Sequence, residues 1–272
     1  MSEQKVVLIT GVSSGIGQAT ARLITQRGFT VFGTSRNPSA IETIPSVEVL
    51  PLDVRFDESV DACLEAVLKQ AGRLDTLINN AGYELGGAIE EAALEEVKAQ
   101  FETNFFGVVR MVKAVLPIMR RQGNGQIINI SSLSGLVSVP FLGVYSSSKF
   151  ALEGYTEGLR HEVKPLNIQI SLVEPGFIKT NLALNRQYTA DQISDYAPWR
   201  QRALEAMRQY EERAPEPLLV AECVLRIIES KSPRLRYKVG KDATRTTRLR
   251  RILPEVLFER GTRSYFHLDS KK

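Results

Sequence analysis

The sequence has few of the residues that build metal sites and disulfide frameworks. Its 272 residues include only two cysteines, Cys63 and Cys223, and two histidines, His161 and His267. The cysteines lie far apart, each within an apolar helical pattern, so we expect no disulfide, no metal and a reducing compartment. The apolar run near the start, Val6 to Ile9, is too short for a signal peptide or a membrane span. These absences predict a cytoplasmic protein.

The chain also lacks the charge imbalance that is typical of nucleic-acid-binding proteins. Its formal net charge is +4, from 35 Lys and Arg against 31 Asp and Glu. This is small for the length, so we expect no nucleic-acid partner. We find no linker that would divide the chain, and its ordinary apolar content suits one large α/β domain with a substantial core.

Near its start the sequence contains a buried strand that a glycine turn joins to a helix. Val6 to Thr10 is an apolar run of strand length, and apolar residues recur at helical spacing from Ile16 until Gly28. Residues 10–17 between them read Thr-Gly-Val-Ser-Ser-Gly-Ile-Gly. Glycines in such a turn let the backbone approach a pyrophosphate, which the positive N-terminal end of the helix then holds. The pattern predicts a dinucleotide site, with a plain strand-to-helix loop as the alternative.

A second stretch contains the residues for proton transfer. Tyr145 and Lys149 are four positions apart in a helical pattern, so they project from one face and the ammonium can lie beside the phenol. A nearby positive charge lowers the pKa of a phenol from its ordinary value of about 10. Such a Tyr can give or take a proton, and a Ser from the end of another strand can hold a substrate oxygen against it. Alone the spacing is weak evidence, because a half-buried Tyr with a solvated Lys is common on helices.

The order of several short motifs is more specific than any one of them. After the Thr-Gly-x-x-x-Gly-x-Gly turn come Asn79-Asn80-Ala81-Gly82, Asn104, Ser132, Tyr145-x-x-x-Lys149 and Pro175-Gly176. In this order the motifs resemble those of the short-chain dehydrogenase/reductase family, over about residues 5 to 180. The continuation Phe150-Ala151-Leu152-Glu153-Gly154 resembles that of hydroxysteroid and retinol dehydrogenases. The Ser-Ser-Ser between Tyr145 and Lys149 is a mild departure from the family's usual small residue, Ala, Ser.

The resemblance implies four catalytic residues. Tyr145 is the proton donor or acceptor, and Ser132, thirteen positions earlier, holds the substrate oxygen, which leaves Ser131 as an ordinary strand-end hydroxyl. Lys149 lowers the pKa of Tyr145 and binds the nicotinamide ribose. Asn104 kinks the long helix in which it lies and holds a water that extends the proton path to solvent. An ordinary buried amide is the alternative for Asn104.

The resemblance also implies which residues bind the cofactor. The adenosine ribose should lie at the end of the second predicted strand, Thr30 to Ser35, where NAD-preferring enzymes place an acidic residue that would repel a 2′-phosphate. This chain has Arg36 there, whose forked donors can pair with that phosphate, so we expect NADP(H) to be favoured over NAD(H). A solvated surface Arg is the alternative. Asp53 is expected to accept a hydrogen bond from the adenine amino group. The expected cofactor-binding residues are Gly11, Ser13, Ser14, Gly15, Ile16, Gly17, Arg36, Asp53, Val54, Asn80, Ala81, Gly82, Tyr145, Lys149, Pro175, Gly176, Ile178 and Thr180.

Strand and helix patterns alternate along the whole chain. This alternation predicts an α/β fold, namely a single doubly wound Rossmann-type domain over residues 1–272, with a mainly parallel sheet and helices on both faces. In the family, the helix around Asn104 and the helix of Tyr145 form subunit contacts, so the resemblance implies a homodimer or homotetramer. The further strands are predicted at Val47 to Leu52, Leu74 to Ile78, Ile127 to Ile130, Ile168 to Val173 and Leu235 to Val239, and helices at Leu94 to Arg121, Arg200 to Glu212 and Leu218 to Glu229.

The chain is less regular beyond Thr180. The polar stretch from Asn181 to Trp199 predicts a substrate lid over about residues 181–215. A C-terminal extension, about residues 241–272, mixes arginines with apolar residues. A basic amphipathic helix can lie on an anionic membrane, but we favour a solvated basic face whose apolar side packs on the domain or on a second subunit. The lid residues that either line an apolar pocket or pin the loop to the core are Leu182, Leu184, Tyr188, Tyr196 and Trp199.

These observations predict an NADP(H)-dependent oxidoreductase that transfers a hydride between the nicotinamide and a carbonyl/secondary alcohol pair. Ketoacyl reductases resemble this chain but usually end soon after the last strand, whereas this chain continues for roughly thirty residues. We therefore favour a bulky apolar substrate of the hydroxysteroid or retinol kind over a ketoacyl substrate. A binding module that senses NADP(H) without chemistry, and a structural oligomer, are further alternatives.

Overall fold

The computed structural model describes residues 4–269, and the side chains of residues 183 and 184 lie outside that description. Seven of the strands form one parallel sheet in the order β3-β2-β1-β4-β6-β7-β9, and β5 and β8 form a separate parallel pair. Predicted and observed strands agree closely, although β4 begins two residues later than expected. The strands are β1 (Val6–Ile9), β2 (Thr30–Ser35), β3 (Val47–Pro51), β4 (Thr76–Asn79), β5 (Leu85–Gly86), β6 (Gly125–Ile130), β7 (Ile168–Pro175), β8 (Gln187–Tyr188) and β9 (Arg236–Val239).

Helices cover both faces of the large sheet, which confirms the predicted α/β fold. On one face α2, α4 and α5 bury apolar side chains such as Val67, Met111 and Leu152. On the other face α1 and α8 do the same through Ile24 and Val224. The helices are α1 (Gly15–Gln26), α2 (Asp57–Ala71), α3 (Leu94–Phe101), α4 (Gly107–Gln122), α5 (Gly143–Val163), α6 (Asn181–Leu184), α7 (Ala197–Glu212), α8 (Leu218–Glu229), α9 (Lys241–Ile252) and α10 (Glu255–Tyr265).

The direction in which the chain adds strands reverses at β1. This strand pairs with β2 on one side and with β4 on the other. In open parallel sheets such a reversal leaves a crevice at the carboxyl ends of the two central strands, and ligands bind there. The glycine turn follows β1, and Asn80-Ala81-Gly82 follows β4. Two motifs that are some seventy residues apart in the chain therefore meet at one crevice.

The predicted helix from Leu94 to Arg121 is interrupted around Asn104. A five-residue π-helical segment, Glu102–Phe106, stands between α3 and α4. The Gly107 that follows lies against Val54, because a Cβ added at Gly107 would come within 2.6 Å of Val54 Cγ2. A larger residue would push α4 away from the loop after β3, so the close packing here requires a glycine.

The C-terminal extension forms two helices rather than one. The first, α9, ends at Ile252, and Pro254 then precedes α10 because a proline is tolerated at the start of a helix but not within it. Every residue from 248 to 257 is exposed. The apolar side chains at this bend are therefore not packed on the described part of the domain, contrary to one of our two favoured expectations. Within residues 4–269, no helix has the length and apolar character needed to cross a membrane.

Candidate active site

A cavity of about 1130 Å³ runs along the carboxyl ends of the sheet and collects the predicted site residues. It extends from the end of β2, across the reversal point between β1 and β4, to the ends of β6 and β7. Gly17 is the one predicted residue that does not line it. The others that line it are Gly11, Ser13, Ser14, Gly15, Ile16, Arg36, Asp53, Val54, Asn80, Ala81, Gly82, Asn104, Ser132, Tyr145, Lys149, Pro175, Gly176, Ile178 and Thr180.

The glycine turn is held by close backbone contacts. Gly11 and Gly15 have positive φ angles of 74° and 58°, which side chains rarely adopt. A Cβ added at Gly17 would overlap the carbonyl oxygen of Gly11 and lie 2.5 Å from Asn80 Nδ2. That amide donates to the carbonyls of Thr10 (3.0 Å) and Gly11 (2.8 Å). The absence of a side chain at Gly17 therefore allows the close contact between α1 and the glycine turn, although Gly17 does not line the cavity.

The geometry of this turn fits the pyrophosphate of a dinucleotide. The residues Ser13, Ser14, Gly15 and Ile16 line the cavity at the N-terminal end of α1, where backbone N–H groups and the helix dipole favour a negative group. The first turn of α1 contains no acidic residue that would repel phosphate. On the opposite wall Thr180 approaches so closely that a Cβ added at Gly15 would lie 3.3 Å from Thr180 Cβ.

The end of the cavity next to β2, where the adenosine was expected, has two arginines, of which the sequence indicated one. Both Arg36 and Arg55 line the cavity, and Arg36 is exposed whereas Arg55 is half-buried. Arg55 forms an ion pair with Asp53 (Nη2 to Oδ2, 2.6 Å), and this hydrogen-bonded pairing lowers the pKa of the Asp53 carboxyl. Asp53 therefore lies where it was expected but is engaged by Arg55. No motif marked Arg55, because an Arg two residues after an Asp is common in loops.

Tyr145 is buried beside Ser132, at 4% exposure. Burial raises the pKa of the phenol, the negative charge of Glu84 raises it further, and a hydrogen bond with Ser132 lowers it in part. The net shift of this pKa is upward because desolvation outweighs the neighbouring charges, and the expected lowering by Lys149 stays a prediction. The phenol therefore keeps its proton at neutral pH. Ser132 begins a short 3₁₀ turn, and its hydroxyl accepts a hydrogen bond from the Ser134 backbone N–H (3.0 Å).

Lys149 projects from the same face of α5 as Tyr145, as the four-residue spacing predicts. Its Nζ lies 5.9 Å from the centre of the Tyr145 ring and donates to the carbonyl of Ile130 at the end of β6 (3.0 Å). Burial lowers the pKa of the Lys149 ammonium to about 8, although Glu84 and Glu153 favour its charged form. The ammonium is held close to the carboxyl end of the sheet, where it faces the cavity.

Asn104 is a buried residue at the centre of the π-helical segment, with both ends of its amide in use. Its Oδ1 accepts from the Tyr83 backbone N–H (3.1 Å), and its Nδ2 donates to the Tyr83 carbonyl (2.9 Å). Nδ2 also approaches the Ser148 hydroxyl at 3.4 Å. The side chain thus ties Tyr83, in the loop between β4 and β5, to α5. The hydrogen-bonding groups of the Asn104 amide are therefore in use. Asn104 also lines the cavity, where it lies against Gly82.

A buried ion-pair cluster that the sequence did not indicate stands beside Tyr145. Arg186, 3% exposed at its side chain, binds Glu84 (Nη2 to Oε2, 2.8 Å) and Glu211 (Nη2 to Oε1, 2.5 Å). Both glutamates line the cavity. The cluster joins the segment before β5 to the segment before β8 and to α7. The partners are 102 and 25 positions from Arg186 in the chain, so no local pattern could have revealed it.

The C-terminal extension contributes one wall of the cavity that is largely apolar. Of the five lid residues expected at such a pocket, Leu182 lines it, and the side chain of Leu184 lies outside the described residues. The cavity is not lined by Tyr188, Tyr196 or Trp199. The Tyr196 hydroxyl instead donates a hydrogen bond to Glu90 (2.6 Å), which holds this segment against the loop before α3. The wall from the extension consists of Leu249, Leu253, Leu257, Phe258, Thr262, Tyr265 and Phe266.

We expect Lys149→Met to gain stability at neutral pH and to lose that advantage in alkali. The pKa of Lys149 is about 8 in the folded protein against an ordinary 10.5, so below pH 8 folding carries the cost of a buried charge. That cost fades as the pH rises from 8 to 10.5, because only the unfolded chain then holds the proton. The difference in unfolding free energy, variant minus wild type, should fall by an amount on the order of 3 kcal/mol over this interval.

Urea denaturation of both proteins without cofactor, repeated between pH 7 and pH 10.5, measures that difference. Lys231→Met, which removes an exposed lysine, is the control, and its difference from wild type should stay constant. A pH-independent difference for Lys149→Met would mean that the ammonium is solvated in the folded protein.

Comparison with known proteins identifies close relatives among oxidoreductases. A family model described as short chain dehydrogenase matches residues 5–191. The chain is 45% identical over 240 residues to 3-ketodihydrosphingosine reductase of Bacteroides thetaiotaomicron, with 88% of each chain covered. It is 37% identical over 270 residues to retinol dehydrogenase 8 of Bos taurus, with 92% of this chain and 86% of the relative covered.

Solved structures agree with the family match. A short-chain dehydrogenase from Streptomyces avermitilis superposes with a TM-score of 0.81 at 34% identity, over 96% of this chain and 99% of that one. ElxO, solved with NADP bound, has a TM-score of 0.74 at 27% identity, over 89% and 99%. A relative from Burkholderia phymatum, solved with NAD, has a TM-score of 0.79 at 26% identity, over 92% and 95%. Solved neighbours of this chain thus use either nicotinamide cofactor.

The family match, the seven-stranded parallel sheet and the cavity at its reversal point lead to one conclusion. The resemblance proposed from the order of the motifs is confirmed. This chain belongs to the short-chain dehydrogenase family and is an oxidoreductase that acts on alcohol and keto groups.

Proposed function

We propose that this protein transfers a hydride between NADP(H) and a carbonyl/secondary alcohol pair on a bulky apolar substrate. The observation that carries the proposal is the position of Tyr145. The phenol is buried where the polar, dinucleotide-like part of the cavity meets an apolar wall built by Leu142 and Phe266. A carbonyl held at that junction has a proton donor beside it and an apolar surface for the rest of the molecule.

The proposed catalytic roles follow from these contacts. In the direction of reduction, Tyr145 gives its proton to the forming alkoxide while the Ser132 hydroxyl holds the same oxygen. A bound NADPH supplies the hydride. The phenol is protonated at neutral pH, which is the form that reduction requires. Lys149 is proposed to bind the nicotinamide ribose, and Asn104 to support the water through which the proton is replaced.

The charge at the adenosine end supports NADP(H). One of its two arginines, Arg55, neutralises Asp53, which leaves Arg36 to face the cavity with its charge unbalanced there. The positive charge of Arg36 would attract a 2′-phosphate, and a guanidinium can bind a phosphate with two parallel hydrogen bonds. The remaining predicted residues, from the glycine turn to Thr180, are proposed to bind the pyrophosphate and the nicotinamide.

Replacing Arg36 with Asp tests the cofactor preference. We expect the ratio of kcat/KM for NADPH to that for NADH to fall by at least about a hundredfold, because a carboxylate repels the 2′-phosphate and can accept from the ribose hydroxyls. Steady-state assays with each cofactor measure the ratio. Arg27→Asp makes the same change of charge at an exposed residue outside the cavity and should leave the ratio unchanged, and an unchanged ratio in Arg36→Asp would remove Arg36 from the site.

The substrate class is supported by the apolar wall and by the relatives. Two relatives are named for a ketodihydrosphingosine and for retinol, and both compounds carry a long hydrocarbon part. We expect NADPH consumption to be fastest with carbonyls that carry such a part. A panel of sphingoid ketone, retinal, steroid ketones, acyl thioesters and small carbonyls tests this expectation. Preference for small or acyl carbonyls, or cofactor binding without any turnover, would contradict the proposal.

We also propose that residues 181–215 act as a substrate lid within a single domain that includes the extension at 241–272. Ion pairs hold this lid to the rest of the domain, since Arg186 binds Glu84, which lines the cavity, and Arg200 binds Glu91. Opening the lid would require these buried pairs to part. Lid residues are therefore expected to control access to Tyr145 rather than to contact the reacting atoms.

Self-association is proposed to use α4 and α5, as the family resemblance implies. Phe106, next to α4, and Phe150 in α5 are 44% and 46% exposed, which is unusual for aromatic residues on ordered helices of a monomer. A homodimer or homotetramer that covers them can be measured by sedimentation velocity.

Cys63 and Cys223 are buried free thiols, which supports a reducing, cytoplasmic environment.

A further inference from the structure

The bend between α9 and α10 presents apolar side chains to solvent. Residues 248–257 are exposed without interruption. Ile252 and Val256 are 65% and 67% exposed, and Leu257 is 48% exposed. Neither Ile252 nor Val256 lines the cavity. We call residues 248–257 the apolar corner. So many exposed apolar side chains at one bend indicate a binding surface rather than a packing surface.

The net positive charge of the chain is concentrated around this corner. Residues 241–265 contain seven of the 35 basic and three of the 31 acidic residues, so they carry a net charge of +4 while the rest of the chain is balanced. Arg248 and Arg251 make no ion pair within residues 4–269. The corner thus combines unpaired guanidinium groups with an apolar tip.

These two properties favour one occupant over the alternatives. An isologous contact with a second copy would bring two apolar corners face to face, each with three arginines and one glutamate, and these net positive surfaces repel each other. A nucleic acid would match the charge but not the apolar tip. An anionic lipid bilayer matches both, because apolar side chains enter the boundary of the acyl region while arginines bind the headgroups.

The corner is also continuous with the cavity. Leu249, Leu253 and Leu257 line the cavity and are themselves 36% to 48% exposed at the corner, so the cavity wall reaches the surface there. Phe266 continues the wall inwards and packs in one cluster with Tyr145. An apolar surface therefore leads from the corner to the phenol.

We propose that the apolar corner docks on an anionic lipid bilayer and so places the apolar end of the cavity against the lipid. The docking is peripheral. It does not depend on the proposed substrate or cofactor, since the surface, its charge and its link to the cavity are properties of the chain.

Co-sedimentation with vesicles tests the docking without any enzymatic readout. The probes are vesicles of phosphatidylcholine alone and of phosphatidylcholine with phosphatidylglycerol, at low and at physiological salt. We expect binding to the anionic vesicles that weakens as salt rises. The double variant Ile252→Ser/Val256→Ser should lower the partition coefficient at least about tenfold, and Arg248→Gln/Arg251→Gln should reduce the binding to anionic vesicles by a similar factor.

The matched control is Leu94→Ser/Leu218→Ser. These two residues are 61% and 49% exposed and lie outside both the corner and the cavity, so binding should equal that of the wild type. An unchanged cooperative melting transition without added cofactor shows that each variant is folded. No binding of the wild type to anionic vesicles, or equal binding of the corner and control variants, overturns the proposal. Loss of self-association in Ile252→Ser/Val256→Ser, without vesicle binding by the wild type, would assign the corner to a subunit contact instead.

Discussion

Tyr145→Phe is expected to lower kcat by about a thousandfold or more while the affinity for NADPH changes little. The substitution removes one hydroxyl from a buried ring and leaves its packing against Leu142 and Phe266 in place. The alkoxide that forms on the substrate then has no acid beside it, and Ser132 can hold the oxygen but cannot supply the proton as readily. Steady-state turnover with the best carbonyl of the panel, and calorimetric titration with NADPH, measure the two quantities.

Tyr155→Phe is the matched control for this experiment. It removes the same hydroxyl from the same helix, at a residue that packs on Phe105 and does not line the cavity, and it should keep full activity. Turnover of the Tyr145 variant close to that of the wild type would remove Tyr145 from its role as proton donor. Loss of turnover together with loss of NADPH binding would indicate instead that the ring is needed to shape the cofactor site.

Gly17→Ala is expected to reduce the free energy of unfolding by about 4 kcal/mol or more and to abolish cofactor binding. The added Cβ would overlap the carbonyl oxygen of Gly11 and press on the Asn80 amide that binds it. Neither group can move by a change of rotamer, because one is backbone and the other is held by two hydrogen bonds. Helix α1 would have to shift away from the glycine turn. That shift would displace the backbone N–H groups that are proposed to bind the pyrophosphate.

Urea denaturation and NADPH-induced stabilisation measure the effect of Gly17→Ala. Gly154→Ala is the control, because Gly154 lies within α5 and a Cβ there meets no atom within 4 Å. That substitution should be neutral or slightly stabilising, since alanine favours helix. Equal stability of the two variants would mean that the turn adapts, and the close contact between Gly17 and Gly11 would then not be a requirement of the fold.

Local patterns were enough to predict which residues would meet at the cavity. Short apolar runs determined the buried parallel strands, and the residues that follow β1, β4 and β6 were therefore expected at one edge of the sheet. Tyr145 and Lys149 share a face because they are four apart on a helix, whatever the rest of the chain does. Such patterns do not predict the rise in the pKa of Tyr145, because its burial and the position of Glu84 depend on segments that are distant in sequence.

The sequence by itself thus determined the fold and the shared helix face of Tyr145 and Lys149, because these depend on periodicity and on spacing within single elements, while the family followed from the order of the motifs along the chain. Only the tertiary structure decided the pairing of Arg186 with Glu84 and Glu211, the presence of Arg55 beside Asp53, and the use of α9 and α10 as the apolar wall. These features join residues from different elements. The packing of those elements decides which charges neutralise each other and which apolar side chains stay exposed. No single stretch of sequence contains that information.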